Sequence, residues 1–247
     1  MRCGILIIGS LLWDDDTESR RADWRAARLD VGAQVPVRAP IYYGRKSRSR
    51  GSTYTMAFRP GDSSAQGVLV PCTEKANKIE SLVSEPNALW QAEDANAKPG
   101  TLHKSWGCVG ALFGPGKAHA KLSADWTTHF QTVKTRCVSI VNANGLLDIG
   151  WPNGLDGQPA DFDVILATAT KPAVEPPTAH AVADAWVSQL GGHENYFFNN
   201  VKHGIRTLDD LAIWRRIEER SPRWINAETY KEAIKILQGE AEVPSPS

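Results

Sequence analysis

The stretch that most limits the fold is the apolar run at residues 4 to 12, GILIIGSLL. Four aliphatic residues at 5 to 8 follow one another without a polar break, which is typical of a strand buried on both faces. Gly9 and Ser10 then permit a sharp change of direction, and the three aspartates at 14 to 16 return the chain to water. We therefore predict a central strand that runs to residue 12 and contains a turn able to contact a ligand.

The same run has few features of a targeting segment. One basic residue, Arg2, precedes it, no small-x-small cleavage site follows, and the aspartates come at once, so we expect no export signal. Later segments are too short and too interrupted for a membrane span. Lysine plus arginine and aspartate plus glutamate number 28 each, so no global field favours nucleic acid or an anionic membrane as a partner.

Cysteine and histidine spacing indicates neither a metal nor a redox centre. No C-x-x-C pair occurs, which argues against a zinc knuckle and favours a reducing, cytoplasmic location. H-E-x-x-H, G-x-S-x-G, the Walker loop and a G-x-G-x-x-G turn are all absent, so we expect no metal, nucleotide or other cofactor. The aspartates at 156, 161 and 163 do not fit a calcium loop and are interpreted as surface residues.

The chain divides near residue 170. Strand-like segments dominate residues 1–170, including a hairpin with Asn144 and Gly145 at its tip. Thr73 is expected to cap a helix that Pro86 interrupts, and a second short helix then ends near Glu93. The segment LSADWTTHFQTV predicts a further helix.

A helical extension is predicted over 171–238, packed on the first part. Its three helices are expected to start at Thr178, near Thr207 and at Asn226, and Gly239 ends the last of them. We expect a disordered tail over 239–247.

A basic stretch, Arg45, Lys46, Arg48 and Arg50, allows three interpretations. It is a solvated loop between strands, a nucleic-acid contact supported by neighbouring tyrosines, or a loop that receives a substrate carboxylate. The forked donors of arginine suit the last role.

Four segments in order resemble the γ-glutamyl cyclotransferase-like superfamily. They are IIGSLLWD, the basic loop GRKSRSRGSTYTMAF, the strand GVLVPC and a helical segment ending ALWQAED. The resemblance covers about residues 5 to 95. It implies an α+β fold with a small, mixed, partly closed sheet or barrel, flanking helices and a cavity at the mouth of the sheet.

The activity that the resemblance implies is conversion of a small γ-glutamyl conjugate into 5-oxoproline and a free amine. The substrate's own α-amine attacks its side-chain carbonyl, so the nucleophile is intramolecular and benefits from a high effective concentration. The enzyme then needs one carboxylate as acid and base, and donors for the oxyanion and the substrate carboxylate. We accordingly expect a small-molecule substrate and no cofactor.

The resemblance also assigns roles to residues. Glu93 matches the acid-base glutamate, with Glu85 and Glu80 as alternatives. The matching turn is Gly9, Ser10 and Leu11, whose backbone N–H groups would point into the cavity. The basic loop, through Arg48 and Arg50, would receive the substrate carboxylate.

One residue departs from the pattern, because Ile8 stands where the family has a tyrosine. This loss favours an alternative, a non-catalytic protein that binds a small metabolite in the same cavity. The segment ENYFFNNVKHGIRTLDD has no match in the family core. Its aromatic residues at 196 to 198 are expected to pack on the sheet. Alternatively, the segment covers the cavity mouth, and the side chains of Asn199, Asn200 and His203 contribute ligand contacts.

Overall fold

Eight strands and eight α-helices occur in the part of this computed structural model that is described, residues 1–15, 18, 20–61, 64–134, 140–188 and 195–241. The strands are β1 (Cys3–Ile7), β2 (Val35–Ala39), β3 (Ile41–Ser47), β4 (Thr53–Phe58), β5 (Ala65–Pro71), β6 (His103–Lys104), β7 (Gly107–Phe113) and β8 (Val164–Thr170). The helices are α1 (Arg20–Arg28), α2 (Ile79–Glu93), α3 (Lys117–Thr132), α4 (Ala179–Val187), α5 (Asn195–Lys202), α6 (Asp210–Arg220), α7 (Pro222–Ile225) and α8 (Lys231–Ala241). The α+β class is therefore confirmed.

The apolar run forms a central strand, as predicted. The main sheet has the order β2-β5-β1-β8-β7-β6, in which β1 pairs parallel with β8 and antiparallel with β5. Every residue of β1 is buried. The predicted extent to residue 12 is wrong, because β1 ends at Ile7 and Ser10–Leu12 form a 3-10 turn closed by a hydrogen bond from the Leu12 N–H to the Gly9 carbonyl.

The main sheet is mixed but not closed. Within the described residues its edges are β2 and β6, while β3 and β4 form a separate two-stranded sheet. The expected partial closure into a barrel is therefore not found. In the same residues no helix is both long and apolar enough to cross a bilayer.

Helix α2 differs from the two short helices predicted on either side of Pro86. It is continuous, and it begins after Lys78, whose N–H donates to the Ser81 hydroxyl at 3.2 Å, rather than at Thr73. A proline inside a helix costs about 3 kcal/mol. Burial of Pro86 with Leu82, Leu89 and Trp90 offsets that cost, and it carries the helix on to Glu93.

The described residues of the C-terminal part, 171–188 and 195–241, contain five helices where three were predicted. Thr178 caps α4 as expected, accepting from the Ala181 N–H at 3.2 Å. Helix α6 begins at Asp210 after Asp209, with Thr207 donating its hydroxyl to the Asp210 carboxylate. Asn226 does not cap the last helix, because a 3-10 turn at Glu228–Tyr230 precedes α8.

Helix α8 also runs past Gly239, so the predicted tail is helical as far as Ala241, and residues 242–247 lie outside the described part. The predicted helix over LSADWTTHFQTV is confirmed within α3. The predicted hairpin is seen only in part, as an antiparallel bridge between Val141 and Leu147 with Gly145 at φ 75°, because residues 135–139 lie outside the described ranges.

The C-terminal helices pack on the strands and share one hydrophobic core with them. The Trp186 indole N–H donates to the Tyr54 carbonyl at 3.2 Å, and the Gln66 N–H donates to the Arg206 carbonyl at 2.9 Å. This packing brings α5 against the turn that follows β1. A domain boundary at residue 170 stays a prediction.

Candidate functional site

A cavity of about 240 Å³ opens where β1 ends. We call it the inner cavity. Its walls come from the end of β1 and the following turn, the β3–β4 hairpin, the end of α2, and β8. Its charged lining residues are Arg21, Arg45, Arg50, Glu93 and Asp94. Arginines outnumber carboxylates, so the cavity suits an anionic group.

The turn after β1, residues Gly9 to Leu12, contributes Gly9, Ser10 and Leu11 to one wall of the inner cavity. Its Leu12 N–H is used internally, but the N–H groups of Ser10 and Leu11 have no acceptor among the residues that the structure describes. Unpaired N–H groups at the start of a helical turn attract negative charge. The turn therefore offers donors to an oxyanion or a carboxylate.

Glu93, the last residue of α2, lies in the inner cavity with its side chain 18% exposed. Burial raises the pKa of Glu93, and the positive charges of Arg21 and Arg45 only partly offset this effect. The Thr168 hydroxyl, which lines the same cavity, also lowers the pKa of Glu93. A buried carboxyl with a raised pKa is suited to proton transfer.

The two alternative glutamates do not line the inner cavity. Glu85 is 2% exposed and pairs with Arg28 at 3.1 Å. Burial raises the pKa of Glu85 as well, but Arg28 and Ser84 are its partners. Glu80 is exposed on the first turn of α2. Of the three glutamates considered, Glu93 shares the cavity with Ser10.

Asp14 organises two of the cavity arginines. Its Oδ2 atom accepts from Arg21 at 2.8 Å and from Arg50 at 2.9 Å. Arg21 also reaches the Ser10 hydroxyl at 3.4 Å and lies 3.9 Å from the Glu93 carboxylate. Asp14, which was predicted to mark the return of the chain to water, has a side chain that is 28% exposed, and its ion pairs with the two arginines were not predicted.

The structure separates the two arginines that were expected to bind a substrate carboxylate. Arg50 lines the inner cavity, and its guanidinium carbon lies 4.9 Å from the Tyr196 ring centroid. Arg48 lines a second, larger groove outside the inner cavity. Arg45, which was predicted only as part of the basic stretch, lines both.

Tyr196 of α5 contributes a hydroxyl to the inner cavity. Its oxygen accepts from the Met56 N–H at 3.1 Å, and a Cβ at Gly9 would lie only 2.6 Å from it. The φ of Gly9, −172°, is open to any residue. Glycine is therefore needed here for its missing side chain, which leaves room for the close approach of this phenol. Burial raises the pKa of Tyr196.

Helix α1 and the position of Tyr196 in the inner cavity were not predicted from the sequence. Arg21 had no signal beyond a basic segment after the aspartates. For Tyr196 we predicted only packing on the sheet, and ligand contacts were considered for the Asn and His side chains of the same segment. Tyr196 is buried and also lines the cavity, and the neighbouring Asn200 accepts from the Trp13 indole N–H at 2.9 Å.

The arrangement defines a class of site, an arginine-rich cavity that holds a carboxyl with a raised pKa, Glu93, beside a turn with unpaired N–H groups. No group of three or more potential metal ligands occurs in the described ranges. No family model, no curated protein and no solved structure matches this chain.

Proposed function

We propose that this protein is a γ-glutamyl cyclotransferase-like acyl transferase that releases 5-oxoproline and an amine from a small γ-glutamyl conjugate. One observation carries the proposal: the Glu93 carboxyl shares the inner cavity with Ser10, whereas Glu80 and Glu85 do not line it. The resemblance of the first 95 residues assigns the base to the same position.

Glu93 would move two protons in the reaction. It first takes a proton from the substrate's α-ammonium, whose ordinary pKa is about 8. Because burial raises the pKa of Glu93, this transfer is less uphill than it would be to an ordinary carboxylate. The freed amine attacks the γ-carbonyl carbon, forming the ring C–N bond and an oxyanion. Glu93 then returns this proton to the leaving nitrogen as the original C–N bond breaks and the carbonyl forms again. The second proton, which the ring nitrogen carries after the attack, passes to the ionised Glu93 and from there to the released amine.

The turn and the arginines would bind the charged parts of the substrate. The N–H groups of Ser10 and Leu11 suit the oxyanion, which develops negative charge only as the reaction proceeds. Arg50 uses one terminal nitrogen for Asp14, and a guanidinium carries five N–H donors, so it retains donors for the substrate α-carboxylate.

Tyr196 bears on the alternative function. Ile8 lacks the hydroxyl that the resemblance leads us to expect, which favours a non-catalytic metabolite-binding protein. The phenol of Tyr196, however, lies beside Gly9 in the same cavity. A hydroxyl is therefore available next to the turn from a different element, and the loss at position 8 argues less strongly against catalysis.

The test is to incubate the protein with γ-glutamyl dipeptides and to measure 5-oxoproline by mass spectrometry. The proposal expects release by the wild type and by Glu80→Gln, an exposed change on the same helix, and strong loss in Glu93→Gln. Saturable binding of the dipeptides with no product would favour the metabolite-binding alternative. If the dipeptides are neither bound nor turned over, the enzyme proposal and the metabolite-binding alternative are both contradicted.

A further inference from the structure

A second concavity, which we call the outer groove, continues from the inner cavity. Its volume is about 1050 Å³. Arg45, Ser49 and Trp106 line both spaces. A ligand seated at Glu93 and longer than the inner cavity would therefore extend past Arg45 and Trp106 into the groove.

The lining of the outer groove is strongly basic. Arg45, Lys46, Arg48 and Lys171 face it, against the single carboxylate of Glu175. Among the described residues, neither the Arg48 nor the Lys171 side chain forms an ion pair. Protein carboxylates thus leave much of this positive charge uncompensated, and an anionic ligand would be attracted to it.

The walls of the groove are held by backbone hydrogen bonds. On one side, the segment after β8 is fixed by the Lys171 N–H, which donates to the Trp106 carbonyl at 2.7 Å, and by the Ala173 N–H, which donates to the Gly44 carbonyl at 2.6 Å. Three prolines in residues 172–177 restrict this segment further. The groove is therefore formed before any ligand binds, which lowers the cost of binding.

Cation–ring contacts position two of the basic groups. The Arg45 guanidinium carbon lies 4.5 Å from the Trp106 ring centroid, and the Lys46 ammonium lies 5.5 Å from the Tyr54 ring centroid. A ring contact does not use the N–H donors of a cation, so Arg45 and Lys46 can still donate hydrogen bonds to a ligand. Arg45 is thus placed at the junction between the two spaces.

We propose that the outer groove binds carboxylates on the leaving amine, so that the preferred substrate is a γ-glutamyl peptide with an acidic extension. This inference rests on the proposed function for the position of the glutamyl group. A larger basic groove beyond a small cavity selects an extended anionic leaving group over a neutral one. Arg48 and Lys171 would contact the acidic side chains.

The experiment compares two peptides that differ only in charge, γ-Glu-Ala-Asp-Asp amide and γ-Glu-Ala-Asn-Asn amide. We expect KM for the aspartate peptide to be about tenfold lower, as two partly exposed charge-assisted contacts would give. The double variant Arg48→Glu, Lys171→Glu should bring the ratio of the two KM values to about one or reverse it. The double variant Arg215→Glu, Lys235→Glu, two exposed changes on α6 and α8, is the charge-matched control and should keep the ratio. Equal KM values for the two peptides on the wild type would overturn the inference while leaving the proposed function standing.

A binding measurement separates failure of the groove from failure of the proposed function. Calorimetry of Ala-Asp-Asp amide, which has no γ-glutamyl group, should show binding to the wild type that weakens with added salt and is lost in the double variant. If no peptide is turned over but this binding is found, the proposed function fails and the groove assignment stands. If Ala-Asp-Asp amide does not bind and no γ-glutamyl peptide is turned over, the groove assignment and the proposed function are both rejected. If the wild type retains polyuridylate but binds no peptide, and the double variant loses this retention, the peptide assignment is overturned in favour of RNA.

Discussion

The Arg21 guanidinium lies 3.9 Å from the Glu93 carboxylate and donates to the Ser10 hydroxyl at 3.4 Å. At these distances Arg21 acts on Glu93 through charge rather than through a short hydrogen bond. It therefore links the two residues on which the proposed chemistry depends. Asp14 holds the guanidinium in place at 2.8 Å.

Glu93→Gln should abolish most of the proposed cyclotransferase activity. The amide cannot take a proton from the α-ammonium, and general acid–base catalysis is worth roughly a hundredfold or more. We expect kcat/KM for a γ-glutamyl dipeptide to fall by at least about a hundredfold. Activity in Glu93→Gln equal to that of Glu80→Gln would show that the base lies elsewhere.

The acid limb of the pH–rate profile should lie above the ordinary titration range of glutamate. Glu93 must be ionised to accept a proton, and burial raises its pKa, so activity should fall on acidification before a solvent-exposed glutamate would titrate. The profile of kcat/KM against pH measures this limb. A profile that stays flat down to the ordinary glutamate range would contradict the assignment.

The raised pKa of Glu93 should also make the stability of the folded protein depend on pH. Because the pKa of Glu93 is raised in the folded protein, its contribution to stability is fully present below the unfolded pKa and is lost as pH rises through the folded pKa. Glu93→Gln should therefore raise Tm at pH above the folded pKa of Glu93, and the gain should shrink as pH falls. Thermal unfolding of both proteins across this pH range tests the sign, and a gain that grows on acidification would contradict it.

Gly9→Ala should be costly only while the Tyr196 hydroxyl is present. The new methyl group would lie 2.6 Å from that oxygen, whereas the next contact, to the ring carbon that bears it, is 3.6 Å. We expect the free energy of unfolding to drop by about 1–3 kcal/mol. In a Tyr196→Phe background the same substitution should cost clearly less, so chemical denaturation of the four proteins gives a double-mutant cycle. An identical cost in both backgrounds would show that the two residues do not meet.

Arg28→Met tests the structural role of Glu85. The change leaves a nearly buried carboxylate without its cation, and we expect a loss of about 1–2 kcal/mol in the free energy of unfolding, since Arg28 itself is partly exposed. Burial already raises the pKa of Glu85, and removing Arg28 raises it further, so the loss should be greater at higher pH. The kcat of folded protein should stay near that of the wild type. A selective loss of kcat with unchanged stability would reassign Glu85 to the active site.

The sequence patterns correctly predicted features that neighbouring residues determine, such as a buried strand and the end of a helix. The unbroken apolar run identified β1 as a central buried strand, and the order of segments led to Glu93 at a helix end. The continuity of α2 through Pro86 was not predicted, since burial against the rest of the protein, rather than helix propensity, decides it. The open sheet likewise depends on strand pairing over long separations.

The remaining site residues come together only in the folded chain. Arg21 lies on a helix with no strong sequence signal, and Asp14 looked like one of three solvated aspartates. Tyr196 reaches Gly9 because α5 packs against the turn after β1. Sequence spacing carries no information about such contacts, so the composition of the turn predicted a ligand site without predicting which side chains complete it.

Isotope tracing of the products tests the central claim most directly. A γ-glutamyl dipeptide labelled with ¹⁵N at its α-amine is incubated with the protein in H₂¹⁸O, and the products are analysed by mass spectrometry. Intramolecular cyclisation predicts 5-oxoproline that retains ¹⁵N and contains no ¹⁸O. Glutamate carrying ¹⁸O would show that water is the nucleophile and would contradict the account.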